Sequence, residues 1–263
     1  MEQEKEGEVG KQLDDAVIYE DADVLVVNKP VGILVHDDGK SDATTVVSWF
    51  LTRVPQAVGV GESTTAPGED ATLGRSGVVH RLDRDTSGVL VLCKNQLAHA
   101  YCKQQFHDRL TSKIYQAILY GTMPDWRGMI DRSIGRSAKD WRRRSAERGA
   151  KGTLREAVTH WEVVAEGEVE GEQFAAVLLR PETGRTHQLR VHTKAIGRPI
   201  VGDALYAGAR YRQSHNLGLE RLALHSWHLT IDLPSAGKIS LQAPTPPDIA
   251  AAASCIAGGD NLW

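Results

Sequence analysis

Short runs of β-branched and apolar residues, separated by turn signals, constrain the fold of this chain more than any other feature. In residues 16–36, AVIYEDADVLVVNKPVGILVH, the runs are broken at Asp-rich and Pro-Gly turns, a pattern typical of strands. Residues 77–94 predict two strands around a tight polar connection that ends at Gly88. The other predicted strands cover residues 112–121, 158–165, 174–180, 226–233 and 238–243.

Helical spacing is confined to a few segments. The predicted helices cover residues 43–54, 95–110, 183–197 and the Ala-rich C-terminal stretch. A Thr-Gly cap signal opens the third of these helices, and Gly197 closes it. Because strands outnumber helices, we predict an α+β fold with a mixed, largely antiparallel β-sheet and a few flanking helices.

Two segments lack the periodicity of helices and strands. Residues 1–14 are polar and acidic, and they predict a disordered N-terminal tail. Residues 55–76 are rich in Gly, Thr, Ser and Pro, and they predict a long surface loop. No linker follows residue 15, so residues 15–263 are predicted to form a single domain.

Composition argues against several classes of protein. No apolar stretch approaches the roughly 20 residues that a membrane-spanning helix requires. The first residues, MEQEKEGEVG, lack the basic start and apolar middle of a secretory signal. The three cysteines are odd in number and have no C-x-x-C spacing, which argues against a disulfide framework and a zinc knuckle. We therefore expect a reduced, cytoplasmic protein without membrane contact.

The net charge of −3 conceals a strong asymmetry. Residues 1–25 hold nine acidic side chains and two lysines, so the rest of the chain carries a charge of +4. Residues 132–155 hold nine basic side chains against Asp140 and Glu147. Such a block is either a solvated, mobile loop or a loop that binds the phosphates of a nucleic acid. Charge alone leaves both interpretations open.

The densest polar cluster is HRLDRDTSG, residues 80–88, between two apolar runs. Its Asp, Thr, Ser and Gly residues suit a plain turn. Asp83 and Asp85 also have the D-x-D spacing of aspartyl-phosphate phosphatases, but Mg²⁺ would need a later acidic motif, and Asp203 has no second acid nearby. In the third interpretation Asp83 is a carboxylate nucleophile or base that acts on a nucleic acid, and Arg81 and Arg84 keep it ionised.

The segment GVVHRLDRDTSGVLV, residues 77–91, resembles the signature of the RluA-type pseudouridine synthases, the family that modifies ribosomal and transfer RNA. KIYQA at 113–117 resembles the family's K-x-Y-x-A segment, and PETGRTHQLRVHTKAIGRPIVGDALY at 181–206 resembles its third block at every fixed position. The similarity runs from about residue 16 to about residue 247. Several ordered motifs are far more specific than any one alone.

The resemblance implies an RNA pseudouridine synthase, an isomerase with a central cleft and with no cofactor and no metal. It implies that Asp83 is the catalytic aspartate, that Tyr115 packs against the target uracil and that Arg190 pairs with Asp83. Attack of Asp83 at C1′ and abstraction of the C2′ proton both stay open. Members that act on large ribosomal RNA often carry an S4-like domain, and we expect none here because only about 15 residues precede the first strand.

The resemblance also implies how RNA is recognised. A stacked uridine must leave its helix before a carboxylate can reach the ribose, so we expect base flipping, with Arg81 filling the vacated space. The predicted RNA-binding residues are His80, Arg81, Arg84, Arg142, Arg143, Arg144, Arg185 and His187. We expect a monomer that acts on large-subunit ribosomal RNA, with transfer RNA as the alternative substrate. A non-catalytic RNA-binding protein that keeps the fold is the rival interpretation.

Overall fold

The structure, a computed structural model, describes residues 2–37, 43–61, 75–211, 214–258 and 263. It divides into two compact units that alternate along the chain. Unit 1 consists of Met1–Ser112 and His228–Pro244, and unit 2 consists of Lys113–Trp227 and Thr245–Trp263. Because each unit is built from two separate segments, no linker marks their boundary in the sequence. The single domain over residues 15–263 stays a prediction.

Over the described residues the chain forms twelve strands and five α-helices. In chain order they are α1 (Glu2–Asp15), β1 (Val17–Glu20), β2 (Val24–Lys29), α2 (Val46–Arg53), β3 (Ser87–Cys93), α3 (Gln96–His107), β4 (Ser112–Tyr120), β5 (Arg127–Asp131), β6 (Ile134–Arg136), β7 (Arg144–Ser145), β8 (Lys151–Arg155), β9 (Val158–Val169), β10 (Glu172–Pro181), α4 (Gln188–Ala195), β11 (Leu224–Leu233), β12 (Gly237–Gln242) and α5 (Pro247–Ala257). None of the described helices is both long and apolar enough to cross a membrane.

Unit 1 is built on an antiparallel sheet in which β2 pairs with both β1 and β3. The β2–β3 register places Lys29, the last residue of β2, opposite Gly88 near the start of β3. All seven residues of β3 are buried, so this strand lies inside the unit. Ala98 and Cys102 of α3 pack against the apolar side chains of the sheet. The sheet therefore fixes the segment that immediately precedes β3.

Unit 2 contains a second antiparallel arrangement, in which the strands follow the order β4, β10, β9, β5. Tyr115 on β4 lies opposite Leu179 on β10. Helix α5 packs against β9 at Gly167, where a Cβ would lie 2.2 Å from the carbonyl oxygen of Ile256. Only glycine allows this close approach. The helix thereby covers apolar side chains of the unit 2 core.

The basic block at residues 132–155 folds into a small antiparallel sheet of unit 2, in the order β7, β6, β8. Arg136 on β6 lies opposite Arg144 on β7 and opposite Lys151 on β8. The mobile-loop interpretation is therefore wrong for the residues of these strands, because pairing to neighbouring strands orders their backbone.

Most predicted elements are confirmed. The strands predicted in 16–36, 112–121, 158–165, 174–180, 226–233 and 238–243 correspond to β1, β2, β4 and β9–β12, and the four predicted helices correspond to α2–α5. The α+β class with a largely antiparallel sheet is confirmed as well. Within the predicted loop 55–76, residues 62–74 lie outside the described residues.

The N-terminal prediction is wrong, because residues 2–15 form the helix α1 rather than a disordered tail. The end of this helix is anchored on unit 1. Leu13 is fully buried, and the Asp14 carboxylate accepts hydrogen bonds from Trp49 Nε1 at 3.1 Å and from Arg53 Nη1 at 3.0 Å. These partners lie more than 30 residues away on α2, so the local composition gives no sign of them.

Two boundaries also differ from the prediction. The first strand predicted in 77–94 is only an isolated bridge between Val78 and Leu92. Helix α4 begins at Gln188 rather than at 183. The buried Gln188 amide accepts a hydrogen bond from Thr183 Oγ1 at 2.7 Å and donates one to the Val158 carbonyl at 2.9 Å. These bonds hold the Thr-Gly segment as a turn before the helix.

Candidate active site

Asp83 lies in a tight turn that leads directly into β3. The Thr86 amide donates to the Asp83 carbonyl at 3.1 Å, and the Gly32 amide donates to the Arg84 carbonyl at 2.9 Å. The Asp83 side chain itself is half-buried. The backbone of this turn is thus fixed both by its own hydrogen bond and by the turn that follows β2.

The buried Lys29 side chain anchors the Asp83 turn through a hydrogen bond to its backbone. This side chain is fully buried, and its ammonium donates to the carbonyls of Pro30 at 2.7 Å, Ile33 at 2.9 Å and Arg84 at 3.0 Å. A buried charge is tolerated only where such hydrogen bonds compensate its lost hydration. Lys29 therefore ties the turn after β2 to the residue that follows Asp83.

The polar neighbours of Asp83 have distinct local contacts. His80 Nε2 accepts a hydrogen bond from the Val91 amide at 2.9 Å, and its ring stacks on Phe106 at 4.6 Å. Arg81 Nη1 lies 3.3 Å from His36 Nε2. Arg84 forms an exposed ion pair with Asp85 at 3.0 Å. His80 therefore anchors the turn to β3, and the contacts of these three residues with RNA stay predictions.

Tyr115 occupies a rigid position in unit 2. It lies on β4, whose residues from Tyr115 to Tyr120 pair with β10, and its half-buried side chain packs against the core of the unit. The paired strand fixes its backbone, and the packing against the core restricts the rotamers open to its ring.

Arg190, on α4, forms the most deeply buried ion pair described in unit 2. Its Nε and Nη2 donate to the two carboxylate oxygens of Asp203, both at 2.8 Å. The Arg190 side chain is 8% exposed and that of Asp203 is fully buried. Asp203 Oδ1 also accepts the amides of Leu205 and Tyr206. This bidentate geometry fixes the plane of the guanidinium.

Glycine at position 202 places Asp203 where it meets Arg190. Gly202 has a φ of +74°, and a Cβ there would lie 2.0 Å from the carbonyl oxygen of Arg221. Any other residue would push the two backbone segments apart. The sequence Gly202-Asp203 is thus a close backbone contact followed directly by the partner of Arg190.

Tyr206 links Arg190 to the small basic sheet. Its ring lies under the Arg190 guanidinium at 5.1 Å, a cation–π contact. Its hydroxyl accepts the Arg144 amide at 2.8 Å and shares a hydrogen bond of 2.8 Å with His187 Nδ1. His187, directly before α4, has a left-handed backbone with a φ of 57°. The segment before α4 and strand β7 are thereby joined.

The predicted basic residues divide into two groups. Asp140 binds Arg142 at 2.8 Å and Arg143 at 3.4 Å, and the hydrogen bonds from Arg142 lower the pKa of Asp140 to about 2. Arg185 instead donates from Nε to the Glu156 carbonyl at 3.0 Å. Arg142 and Arg143 therefore already have an anionic partner within the chain.

The units separate the predicted site residues into two sets. His80, Arg81, Asp83 and Arg84 lie in unit 1, and Tyr115, Arg142–Arg144, Arg185, His187 and Arg190 lie in unit 2. The pairing of Asp83 with Arg190 joins the two sets and stays a prediction. Among the described residues, no group of three His, Cys, Asp or Glu side chains is arranged to hold a metal ion. Arg190 engages both oxygens of Asp203, so the phosphatase interpretation finds no magnesium ligand there.

Sequence reasoning missed three residues that position the site: Lys29, Asp203 and Tyr206. All three lie within the stretch that resembles the family, from about residue 16 to about residue 247, and Asp203 and Tyr206 lie in its third block at 181–206. The motif strings therefore contained the signal, but a string does not show which side chain is buried against which partner.

Comparison with known proteins gives a consistent result. A family model described as RNA pseudouridylate synthase matches residues 23–195. The chain is 34% identical to ribosomal large subunit pseudouridine synthase D of Pseudomonas aeruginosa, over 94% of this chain and 73% of that protein. It is 35% identical to an RNA pseudouridine synthase of Synechocystis, over 88% of this chain but only 65% of that protein. Human RNA pseudouridylate synthase domain containing 1 has a similar structure, with a TM-score of 0.70 and 28% identity over 90% of this chain and 86% of that one.

The Arg190–Asp203 pair predicts a large effect of one isosteric change. Asp203→Asn removes the charge that compensates the buried guanidinium, so we expect the free energy of unfolding to fall by about 3–5 kcal/mol. Urea denaturation measures this. Glu162→Gln is the control, since Glu162 pairs with Arg127 and Arg180 at the surface, and we expect a loss below about 1 kcal/mol there. Equal losses would contradict the central role of the buried pair.

Lys29 predicts a second stability effect. Lys29→Met removes the donor to the carbonyls of Pro30, Ile33 and Arg84, of which the bond to Ile33 is buried, and we expect a loss of about 3 kcal/mol in the free energy of unfolding. The Gly32 amide should also exchange its hydrogen faster, because the Arg84 carbonyl that it binds loses its anchor. Lys238→Met, at an exposed position of β12, is the matched control. Unchanged exchange at Gly32 would show that Lys29 does not hold the turn.

His192 on α4 predicts a pH effect. It is fully buried, Nδ1 lies 2.9 Å from Thr159 Oγ1, and Nε2 lies 2.9 Å from the Arg132 carbonyl. Burial lowers the pKa of His192 below its usual 6.5. The neutral form is therefore favoured in the fold, and its stabilisation is complete above pH 6.5 and lost as the pH falls towards the folded pKa.

The measurement compares wild type with His192→Gln by urea denaturation at pH 7.5 and pH 5.5. We expect the stability advantage of the wild type to be smaller at the lower pH, with a slope of at most about 1.4 kcal/mol per pH unit for one group. An advantage that is the same at both pH values would contradict the buried neutral histidine.

Proposed function

Because the chain belongs to the RNA pseudouridylate synthase family, we propose that it isomerises uridine to pseudouridine in structured RNA. One observation carries the proposal: the family match over residues 23–195 includes Asp83, Tyr115 and Arg190. Large-subunit ribosomal RNA is the proposed substrate, since a relative with 34% identity is named a ribosomal large subunit pseudouridine synthase. Transfer RNA is the second candidate.

The reaction breaks the C1′–N1 bond of a uridine, turns the base and rejoins it through C5. Base and ribose are both retained, so the step needs no redox partner. Asp83 acts on the ribose, by attack at C1′ or by removal of the C2′ proton. Both routes require an ionised carboxylate at a fixed place, which agrees with the hydrogen-bonded turn that holds Asp83.

Arg190 pairs with the Asp83 carboxylate and orients it. A guanidinium has five N–H donors in one plane, and the Asp203 pair uses Nε and Nη2. We infer that the same guanidinium also contacts the Asp83 carboxylate while Asp203 holds its orientation. A neighbouring cation favours the ionised form of a carboxylate, which is the form that the reaction needs.

Tyr115 receives the extruded base. Stacking of a base on an aromatic ring contributes about 1–3 kcal/mol, and a ring fixed on a paired strand loses little rotamer freedom on binding. Its phenol also assists in removing the C5 proton from the rejoined base. Arg81, whose exposed side chain lies beside His36, fills the space that the flipped uridine leaves.

RNA binding uses the cationic side chains around these residues. Arg81 and Arg84 flank Asp83, and His80 holds their turn on β3. In unit 2, Arg144, Arg185 and His187 surround the start of α4, and Arg142 and Arg143 extend the same basic segment beside Asp140. Contacts with phosphates make such binding depend on salt.

The function is tested by mapping pseudouridines in ribosomal and transfer RNA from cells with and without this gene. The proposal expects at least one site in large-subunit ribosomal RNA to disappear and to return on expression of the wild-type protein. Loss of a site in transfer RNA instead would move the substrate to the second candidate. An unchanged map would contradict the enzymatic function and favour a non-catalytic RNA-binding protein.

Asp83→Asn separates catalysis from binding. In ribosomal RNA labelled with tritium at C5 of uridine, product formation releases tritium, and we expect this rate to fall about a thousandfold or more. RNA affinity should change less than about threefold, because the two side chains have the same size. Asp85→Asn, two residues along the same turn, should keep most of the activity. Tritium release by Asp83→Asn near the wild-type rate would remove Asp83 from the reaction.

A further inference from the structure

A cationic cavity lies beside the small basic sheet of unit 2. Its volume is about 350 Å³, and its lining comes from β6, β7, β8 and the turn Gly184–Thr186 before α4. Four arginines contribute to it, namely Arg136, Arg144, Arg155 and Arg185. The lining residues include no acidic side chain. We propose that this cavity binds a phosphodiester group of the RNA backbone, a proposal that rests on the RNA substrate of the proposed function.

Four guanidinium groups around one cavity repel each other unless an anion lies among them. Within the described part of the chain, none of the four forms an ion pair with an Asp or Glu side chain. Arg142 and Arg143, in the same basic segment, both reach Asp140. Asp140 therefore neutralises Arg142 and Arg143, whereas the four arginines of the cavity are left to an external anion.

The strand register places two of these arginines in direct opposition. Arg136 on β6 is the Cα partner of Arg144 on β7, and like charges directly opposite in an antiparallel pair destabilise it. An anion between them removes this cost. The two facing arginines therefore destabilise the free protein and stabilise its complex with an anion. This is the pattern expected of an anion-binding site.

The backbone around the cavity is held before any ligand binds. The Arg144 amide donates to the Tyr206 hydroxyl at 2.8 Å, and Arg185 Nε donates to the Glu156 carbonyl at 3.0 Å. Guanidinium groups bind phosphate oxygens through paired N–H donors. Groups that are already positioned lose less conformational freedom on binding.

Exposed apolar side chains in the same basic segment favour RNA over a free phosphate ion. Trp141, between β6 and β7, is 77% exposed, and Leu154 on β8 is 55% exposed. Nucleobases stack on such a tryptophan, whereas an inorganic anion gains nothing from it. The basic segment thus offers both guanidinium groups and an aromatic ring, the two kinds of contact that a nucleotide chain uses.

The test compares two double variants with equal loss of charge. Arg136→Gln with Arg155→Gln removes two cavity arginines, and Lys139→Gln with Arg148→Gln removes two exposed cations of the same segment that do not line the cavity. Affinity for a fluorescent 20-nucleotide oligouridylate is measured between 50 and 200 mM salt. We expect the cavity variant to lose at least about tenfold in affinity and its salt slope to fall by about 0.7 per lost phosphate contact.

The control variant should lose less than about threefold. Equal losses in the two double variants would overturn the proposal, because they would show that diffuse charge rather than the cavity binds RNA. Gly184→Asp provides an independent variant, since a Cβ there meets no atom within 4 Å and the carboxylate would compete with the RNA phosphate. Affinity of Gly184→Asp equal to that of the wild type would equally contradict the proposal.

Inorganic phosphate distinguishes the two sources of the anion. If the cavity serves RNA, 10 mM phosphate at constant ionic strength competes with the oligouridylate in the wild type and not in the cavity variant. Stabilisation of the wild type by phosphate without any competition would assign the cavity to a free anion and overturn the proposal.

Tritium release from ribosomal RNA is measured in parallel. If the wild type releases tritium normally and the two double variants have equal affinities, the cavity proposal is refuted and the enzymatic function stands. Absent release together with the predicted affinity difference refutes the enzymatic function and supports the cavity.

Discussion

The buried ion pair between Arg190 and Asp203 is the constraint on which the site in unit 2 depends. Two hydrogen bonds of 2.8 Å join side chains that are almost completely removed from solvent. Neither charge is tolerated at this depth without the other. The close backbone approach at Gly202 positions Asp203, and Tyr206 extends the contact to β7 and to the segment before α4. A single guanidinium thus links α4, the GDALY segment and the basic sheet.

The division of labour in the proposed reaction follows from this arrangement. Lys29 and the backbone hydrogen bonds fix the Asp83 turn within unit 1, and the ion pair fixes Arg190 within unit 2. Each partner of the proposed carboxylate–guanidinium pair is therefore ordered by its own unit before RNA binds. Preorganised charges stabilise a transition state without having to reorganise during the reaction. The cationic cavity, which is lined in part by the turn before α4, is the proposed binding site for a phosphate of the RNA backbone.

The sequence predicted the fold class and most elements because alternation and turn residues are local signals. Prediction from the sequence failed where contacts with residues far away in the chain determine the local structure. Helix α1 depends on Trp49 and Arg53, and the late start of α4 depends on Gln188 binding Val158. For the basic block at residues 132–155, the sequence predicted the charge but not the strands. Pairing between two arginine-bearing strands is unfavourable, and no local pattern indicates it. For the site, the motifs indicated Asp83, Tyr115 and Arg190, whereas the roles of Lys29 and Asp203 come from buried contacts with distant residues that no motif shows.

The most direct test of the account is a crystal structure of the protein bound to an RNA whose target uridine carries fluorine at C5. Fluorine replaces the C5 hydrogen that must leave after the base is rejoined, so the reaction cannot be completed and the nucleotide stays at its site. We expect a flipped nucleotide with its ribose against the Asp83 carboxylate and its base on Tyr115. We also expect an Arg190 guanidinium about 3 Å from Asp83 while still bound to Asp203. A nucleotide bound away from Asp83, or an Arg190 that contacts Asp203 alone, would contradict the account.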